Sequence, residues 1–227
     1  MTALDTAARP RFRGWVHAGA VPLAAAGAVR LWDATAGADS GARASVMVFA
    51  VSLVLLFGVS ALYHVPRWDA RRRWLLSRAD VAMIQIFIAA SFTPLAWHAL
   101  DGVWRTGSLV AAWSIGLVAA WSIGLVGAVV AASPITGPRW LVSGAYLAFG
   151  WSALVPIWKI AQTLPWPGVV LIGVAGGLYT VGACVYATKR PDPWPHRFGF
   201  HEVFHTLVVL AGAIQFVALA RYVLPLA

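Results

Sequence analysis

The chain has 227 residues, of which 60% are hydrophobic and 11% are charged. Soluble domains rarely have so apolar a composition, and apolar runs of roughly 20 residues recur along the chain, which indicates a polytopic α-helical membrane protein. Because the runs are continuous rather than alternating, a β-barrel is disfavoured. In such a protein the net charge of +9 is a topology signal and an attraction to anionic lipid, so no nucleic-acid partner is expected.

Seven hydrophobic segments are long enough to cross a bilayer as helices, some of them with tilt. The predicted fold is therefore all-α, a seven-transmembrane-helix bundle. Residues 15–227 form one domain, and residues 1–14 form a short, basic cytoplasmic tail. In chain order the predicted spans are Trp15–Leu31, Ala44–His64, Ala79–Leu100, Ser108–Ala131, Trp140–Trp158, Gly168–Thr188 and Phe200–Leu224.

The charges of the connecting segments predict the orientation in the membrane. Twelve of the 17 Lys and Arg residues fall on the side of the membrane that holds the N-terminus, and five fall on the other side. Because basic residues concentrate on the cytoplasmic side, the N-terminus is predicted to be cytoplasmic and the C-terminus to lie outside. An odd number of spans agrees with that assignment.

Two histidines open the last predicted span, in the run Phe200-His-Glu-Val-Phe-His-Thr206. Residues four apart lie on one face of a helix, one turn from each other. This is the spacing that lets His201 and His205 bind one metal ion. Ionisable groups at membrane depth are costly, so their presence here favours a functional site.

The predicted topology brings further polar residues to the same membrane level. The second span ends inside at His64, the third starts inside near Asp80, and the seventh starts inside near His201 and His205. Ser60 precedes His64 by one turn on the same helix face. Three imidazole ligands and an open fourth position are typical of a catalytic zinc ion, so zinc is the predicted cofactor.

Asp80 and Ser60 are the candidate catalytic residues. Asp80 can hold the water of the metal site or receive its proton, and Ser60 can orient that water or a substrate carbonyl. Each residue also has a structural interpretation: His64 ends a helix before Pro66, Asp80 caps a helix or lies in its first turn, and Ser60 hydrogen-bonds to backbone. The coincidence of all of them on one face favours the metal site.

The run His-Glu-x-x-His also occurs in soluble metalloproteases, where the glutamate is the general base. A membrane site offers no evident peptide groove, and the third ligand here comes from the second span. Glu202 is therefore interpreted as an interfacial side chain or as a salt-bridge partner of Arg197 or Arg78. Among the other histidines His17 is the one further candidate, and it is not included in the predicted site.

Several motifs together make the chain resemble the haemolysin III family, the bacterial branch of the progestin and adipoQ receptor family. The resemblance covers most of the chain from about Val46 onward. The matching stretches are Ser60-Ala-Leu-Tyr-His64, Arg78-Ala-Asp80, Ile88-Ala-Ala-Ser-Phe-Thr-Pro94, Tyr146-Leu-Ala-Phe-Gly-Trp151, Gly176-Gly-Leu-Tyr179 and Phe198-Gly-Phe-His-Glu-Val-Phe-His205.

The resemblance implies a seven-helix fold with a cytoplasmic N-terminus. It also implies zinc held near the cytoplasmic face by His64, His201 and His205, with Ser60 and Asp80 nearby. The chain departs from the family's pattern at two positions where relatives often carry histidine, and these positions are Val81 and Gln215.

The leading hypothesis is a zinc-dependent hydrolase in a bacterial cell membrane, acting on an amide or ester bond of a lipid, and the family resemblance implies a ceramide-like amide. One alternative is a receptor-like or membrane-homeostasis protein with structural zinc. Another is the cytolytic activity that the family's name suggests, although a permanently inserted seven-span protein without a charged stripe does not favour a wide pore. Imidazole ligands also suit iron, nickel or copper.

Overall fold

A computed structural model describes residues 10–131, 144 and 147–226, with the side chains of residues 123–131 outside the described part. Within this part of the chain, the regular elements are helical. The α-helices are α1 (Trp15–Ala34), α2 (Ser40–His64), α3 (Ala70–Ala99), α4 (Gly102–Ala131), α5 (Ile157–Thr163), α6 (Trp166–Thr188) and α7 (Phe200–Ala218). After α7 the chain continues as a π-helical turn, Leu219–Val223, and a 3-10 turn, Leu224–Leu226.

Five helical segments in the described part of the chain are long and apolar enough to cross a membrane. They confirm the multi-pass helical class that the composition predicts. They lie in α2, α3, α4, α6 and α7, and their ranges are Ser40–His64, Ala70–Ala99, Gly102–Ser122, Trp166–Thr188 and Phe200–Leu226.

Two of the seven predicted spans are not among these five. The first, Trp15–Leu31, is helical within α1, but its alanine- and glycine-rich sequence contains His17 and Arg30, which lower its hydropathy. The fifth, Trp140–Trp158, falls partly outside the described residues. Its described end is broken into a helical stretch at residues 147–151, a 3-10 turn and the start of α5, which follows Pro156. The count of seven and the orientation stay predictions.

Aspartate side chains set where α2 and α3 begin. Asp39 accepts hydrogen bonds from the backbone N–H groups of Gly41 and Ala42, at 2.8 and 3.0 Å. Asp69 accepts one from Arg72 N–H at 2.9 Å. Such N-caps satisfy backbone donors that have no partner within the helix. The interpretation of Asp80 as a helix cap or first-turn acid is therefore wrong, because α3 already begins at Ala70.

The length of α3 explains why its hydrophobic run begins later than the helix does. A helix of 30 residues is about 45 Å long, whereas the hydrocarbon core of a bilayer is roughly 30 Å thick. The excess falls in the first turns, where Arg71, Arg72 and Arg73 are exposed. Asp80 lies just beyond these turns, at the depth where the apolar part of the helix starts.

Neighbouring helices pack in a simple order. α2 packs against both α1 and α3, α3 packs against α4, and α6 packs against α7. α1 also contacts α7, so it lies next to two helices that are far apart in sequence. The shared core is apolar and includes Val46, Phe49, Leu53, Phe57, Phe87, Leu95 and Val208. This arrangement brings the C-terminal end of α2 and the N-terminal ends of α1 and α7 together.

Leu53 and Leu55 give a matched test of this packing, because both lie on α2 but are 5% and 47% exposed. Leu53 packs against Gly212 of α7, where an added Cβ would lie 3.0 Å from Leu53 Cδ1. We expect Leu53→Ala to cost about 2 kcal/mol or more, because it leaves a cavity. We expect Leu55→Ala to cost less than about 1 kcal/mol, because lipid chains replace the lost contacts. Thermal unfolding in detergent measures the difference, and equal losses would contradict the packing.

Candidate metal centre

Three histidines meet at one end of the bundle. His64 is the last residue of α2, and His201 and His205 occupy successive turns at the start of α7. Each offers a ring nitrogen, and these nitrogens all lie within 4.8 Å of one another. His64 and His205 are buried, and His201 is partly buried. The structure therefore brings together the three histidines that the sequence predicts to bind the metal.

The spacing of two of these nitrogens suits a tetrahedral ion. His64 Nε2 and His201 Nε2 are 3.2 Å apart. Two zinc–nitrogen bonds of about 2.0–2.1 Å at a tetrahedral angle place their nitrogens about 3.3 Å apart. His205 Nδ1 is buried without a hydrogen-bond partner in the described part of the chain, and a bound ion or water is a usual way to satisfy such an atom. The residues present therefore fit a zinc ion.

Asp80 lies on the ligand side of the cluster. Its Oδ2 atom is 3.5 Å from His64 Nε2, which is the same nitrogen that faces His201. A carboxylate that only orients a ligating histidine contacts the opposite ring nitrogen. Asp80 therefore faces the space where the three histidines converge. Its side chain is 18% exposed, so water can reach the carboxylate.

Ser60 is buried one helical turn before His64. The 3.6-residue repeat of the helix places both side chains on one face of α2, as the sequence predicts. Ser60 therefore lies one turn deeper into the bundle than His64, on the side of α2 that the packing buries.

Glu202 has a different partner from the two that the sequence suggests. Its Oε1 atom forms an ion pair with Arg13 Nε at 2.6 Å, and its side chain is fully buried. Its Oε2 atom accepts a hydrogen bond from the backbone N–H of Gly199 at 2.8 Å, which caps α7. The assignment to Arg197 or Arg78 is thus wrong. The sequence carries no signal for the true pair, because Arg13 looks like any other basic residue of the tail.

His17 packs directly against the cluster, although it is not one of the predicted site residues. Its ring stacks on that of His205, with centroids 3.9 Å apart and planes 3° apart. It is buried, and neither ring nitrogen has a hydrogen-bond partner among the described residues. A signal was available, because His17 lies at the inner end of the first predicted span, level with the other histidines.

Aromatic rings pack against two histidines of the cluster. Tyr63 packs beside His64, with ring centroids 4.4 Å apart. Tyr186 of α6 packs edge-on to His201 at 5.7 Å, and Phe204 packs at 6.0 Å. Apolar ring surface beside the histidines lowers the local dielectric, which strengthens electrostatic interactions there. His98 lies far from the cluster, near the other end of α3, where its ring is 3.4 Å from Ser45 Oγ.

The fold and the site define a multi-pass helical membrane protein with a buried three-histidine cluster at one end of its bundle. The comparison with known proteins agrees with this class. The chain belongs to the family described as Haemolysin-III related, whose sequence profile matches residues 6–216. This confirms the resemblance that the motifs indicate.

Relatives come from both bacteria and plants. The Hemolysin-3 homolog of Bacillus subtilis (strain 168) is 26% identical over 178 residues, which cover 78% of this chain and 76% of the relative. The Heptahelical transmembrane protein ADIPOR2 of Oryza sativa subsp. japonica is 30% identical over 188 residues, covering 76% and 79%. Hemolysin-3 of Bacillus cereus is 25% identical over 181 residues, covering 79% and 75%.

The buried ion pair of Glu202 can be tested against an exposed one. We expect Glu202→Gln to cost about 1–3 kcal/mol, because Arg13 loses its buried charged partner. Asp69→Asn keeps a capping side chain but removes the exposed pair with Arg72, and its effect should stay within about 1 kcal/mol. Chemical or thermal unfolding in detergent measures both variants, and a smaller effect at Glu202 than at Asp69 would refute the assignment.

Proposed function

We propose that this chain is a zinc-dependent membrane hydrolase that cleaves an amide or ester bond of a lipid. The observation that supports this proposal is the joint placement of three imidazole nitrogens and one carboxylate. The nitrogens lie within 4.8 Å of one another, and Asp80 faces them rather than lying behind them. Three histidine ligands leave one tetrahedral position open, which is the arrangement of catalytic rather than structural zinc.

The roles of the individual residues follow from their positions. Zinc in such a site acts as a Lewis acid and makes water a better nucleophile near neutral pH. Asp80 accepts the proton of the attacking water at Oδ2 and passes it to the leaving amine or alcohol. Ser60 orients the substrate carbonyl through its hydroxyl group. His64, His201 and His205 hold the ion, and the rings of Tyr63 and Tyr186 limit the entry of other water.

The position of the site in the bundle supports a lipid substrate. The histidines lie where the apolar part of the helices begins, next to the arginine-bearing turns of α3. A polar bond at that depth is the one that joins an acyl chain to a lipid head group, and a ceramide-like amide is the leading candidate. The names of the plant relatives, which include the word heptahelical, support seven spans. With the basic loops inside, the site faces the cytoplasm of a bacterial cell.

A second candidate function is a receptor-like or membrane-homeostasis role in which zinc is structural. The burial of His64 and His205 favours it, because a buried ion that joins α2 to α7 would stabilise the bundle. The two proposals differ in what metal removal does. Loss of a structural ion lowers the free energy of unfolding. Loss of a catalytic ion removes activity and changes the free energy of unfolding less.

Metal content tests the proposed zinc site. Protein purified without chelator should hold close to one zinc ion per chain by elemental analysis. His64→Ala and His205→Ala should each lose more affinity than the roughly 10–100-fold that loss of an outer-shell partner costs. His98→Ala, a histidine at the far end of α3, is the matched control and should keep its zinc. Wild-type protein without any bound transition metal would refute both candidate functions.

Lipid hydrolysis tests the proposed catalytic role of Asp80. In mixed micelles that contain a fluorescent ceramide, Asp80→Asn should lower the rate of hydrolysis roughly 100-fold or more, the range of a lost general base. Its zinc content should stay unchanged, because the three imidazoles remain. Asp101→Asn, an exposed residue before α4, should keep full activity.

The outcomes of this assay separate the candidate functions. Hydrolysis that depends on zinc and Asp80 supports the enzyme. Zinc-loaded protein that cleaves neither ceramide nor an acyl ester, and that loses thermal stability in proportion to zinc removal, supports the structural role instead. Dye release from liposomes at low copy number, equal in wild type and Asp80→Asn, would point to the cytolytic activity after which the Bacillus cereus relative is named.

A further inference from the structure

The three histidines are carried by two helices that are not neighbours in sequence. α2 and α7 touch near mid-helix, where Leu53 packs against Gly212. At the histidine end, a different part of the chain contacts both helices. This part is the N-terminal segment, defined here as residues 11–17, which includes the first three residues of α1. It contacts α2, the loop before α7 and α7 itself.

Backbone hydrogen bonds attach the N-terminal segment to the loop before α7. Arg11 N–H donates to His196 O and Phe12 N–H donates to Arg197 O, both at 3.1 Å. The ion pair of Arg13 with Glu202 adds a side-chain link to the first turn of α7. Glu202 directly follows His201, and its other carboxylate oxygen caps the helix. Arg13 therefore acts on the first turn of α7, which carries His201 and precedes the turn that carries His205.

Gly14 places the same segment directly on His64. Its φ angle is +82°, a conformation that favours glycine. A Cβ atom at this position would lie 2.5 Å from His64 Cβ and 3.1 Å from His64 C. Only a residue without a side chain lets the segment approach the end of α2 so closely. The contact sets how near His64 can come to the segment and, through it, to α7.

His17 supplies the third contact, with the ring of His205. The two rings are stacked 3.9 Å apart, and Phe57 of α2 packs beside His17 at 5.0 Å. Because its ring nitrogens have no hydrogen-bond partner in the described part of the chain, His17 contacts the protein through its ring faces. An aromatic ring of similar shape can preserve these contacts.

We propose that Arg13, Gly14 and His17 are positioning residues of the metal centre, which set the separation of His64 from His201 and His205. None of them needs to bind the ion. Each contacts a histidine of the cluster or the residue next to one, and together they connect the two helices that carry the ligands. Zinc affinity then depends on the N-terminal segment as well as on the ligands. This inference rests on the zinc binding proposed above.

Cobalt and zinc binding to the full-length protein in detergent micelles tests the proposal. The visible spectrum of bound cobalt reports the ligand geometry, and competition with a chelator gives the zinc affinity. Arg13→Gln, Gly14→Ala and His17→Ala should each weaken zinc binding roughly 10–100-fold, the range of an outer-shell partner, and should alter the cobalt spectrum. His17→Phe keeps a stacked aromatic ring and should restore much of the affinity that His17→Ala loses, as expected of a swap that roughly conserves volume.

Matched controls come from the same part of the chain. Arg11→Gln removes an exposed arginine of the same segment. Gly19→Ala adds a methyl group where no atom lies within 4 Å. Both should stay within about twofold of wild type, as expected of surface substitutions. If Gly14→Ala fails to fold, the Arg13 variant and the two His17 variants still decide the question.

The outcomes distinguish this proposal from the function it rests on. Wild type that binds neither ion overturns the zinc site and this inference together. Wild type that binds zinc, with all three variants equal to it in affinity and cobalt spectrum, overturns this inference alone. Variants that unfold at lower temperature without metal, yet keep affinity and spectrum, show a merely structural role and also overturn it. Weakened binding in the variants but not in the controls supports it.

Discussion

A ring nitrogen that is withdrawn from water costs free energy unless a hydrogen-bond partner or an ion compensates for it. Three imidazoles, those of His17, His64 and His205, are buried at one end of the bundle. His64 has a partner in His201, but the orphaned nitrogens of His17 and His205 have none among the described residues. An ordered water or a bound ion is a usual way to satisfy such an atom. A metal ion held by His64, His201 and His205 would compensate for the burial of His205, whereas His17 contacts the cluster through its ring face.

The same constraint accounts for the structure around the cluster. A fully buried Glu202 is tolerable because Arg13 and the Gly199 N–H both bind its carboxylate. Such a buried pair is weak evidence of added stability, but the loss of one partner is costly. The main effect of the pair is therefore to fix the position of the N-terminal segment, rather than to raise the free energy of unfolding. In that position Gly14 contacts His64 and His17 contacts His205. The contact that pairs the buried carboxylate therefore also sets the geometry of the site.

The helical class and the positions of the main spans could be predicted from the sequence, because few backbone structures are stable in a bilayer. A backbone in hydrocarbon must satisfy its own hydrogen bonds, so long apolar runs become helices. The predicted span limits were less accurate, as α3 shows. Hydropathy marks where a helix meets lipid, whereas Asp69 decides where the helix starts. The broken segment around Pro156 also escaped prediction, because the apolar run continues across it.

The sequence by itself determined that His64, His201 and His205 lie at the same end of the bundle, and that Ser60 shares a helix face with His64. Helical periodicity and alternating topology are local rules, so composition and spacing suffice for both. Only the tertiary structure decided which side of His64 faces Asp80, that Arg13 rather than Arg78 or Arg197 pairs with Glu202, and that His17 stacks on His205. The first contact depends on how α3 packs against α2, and the other two depend on how α1 packs between α2 and α7. Helical periodicity relates only residues of one helix, so it cannot predict contacts between side chains far apart in the chain.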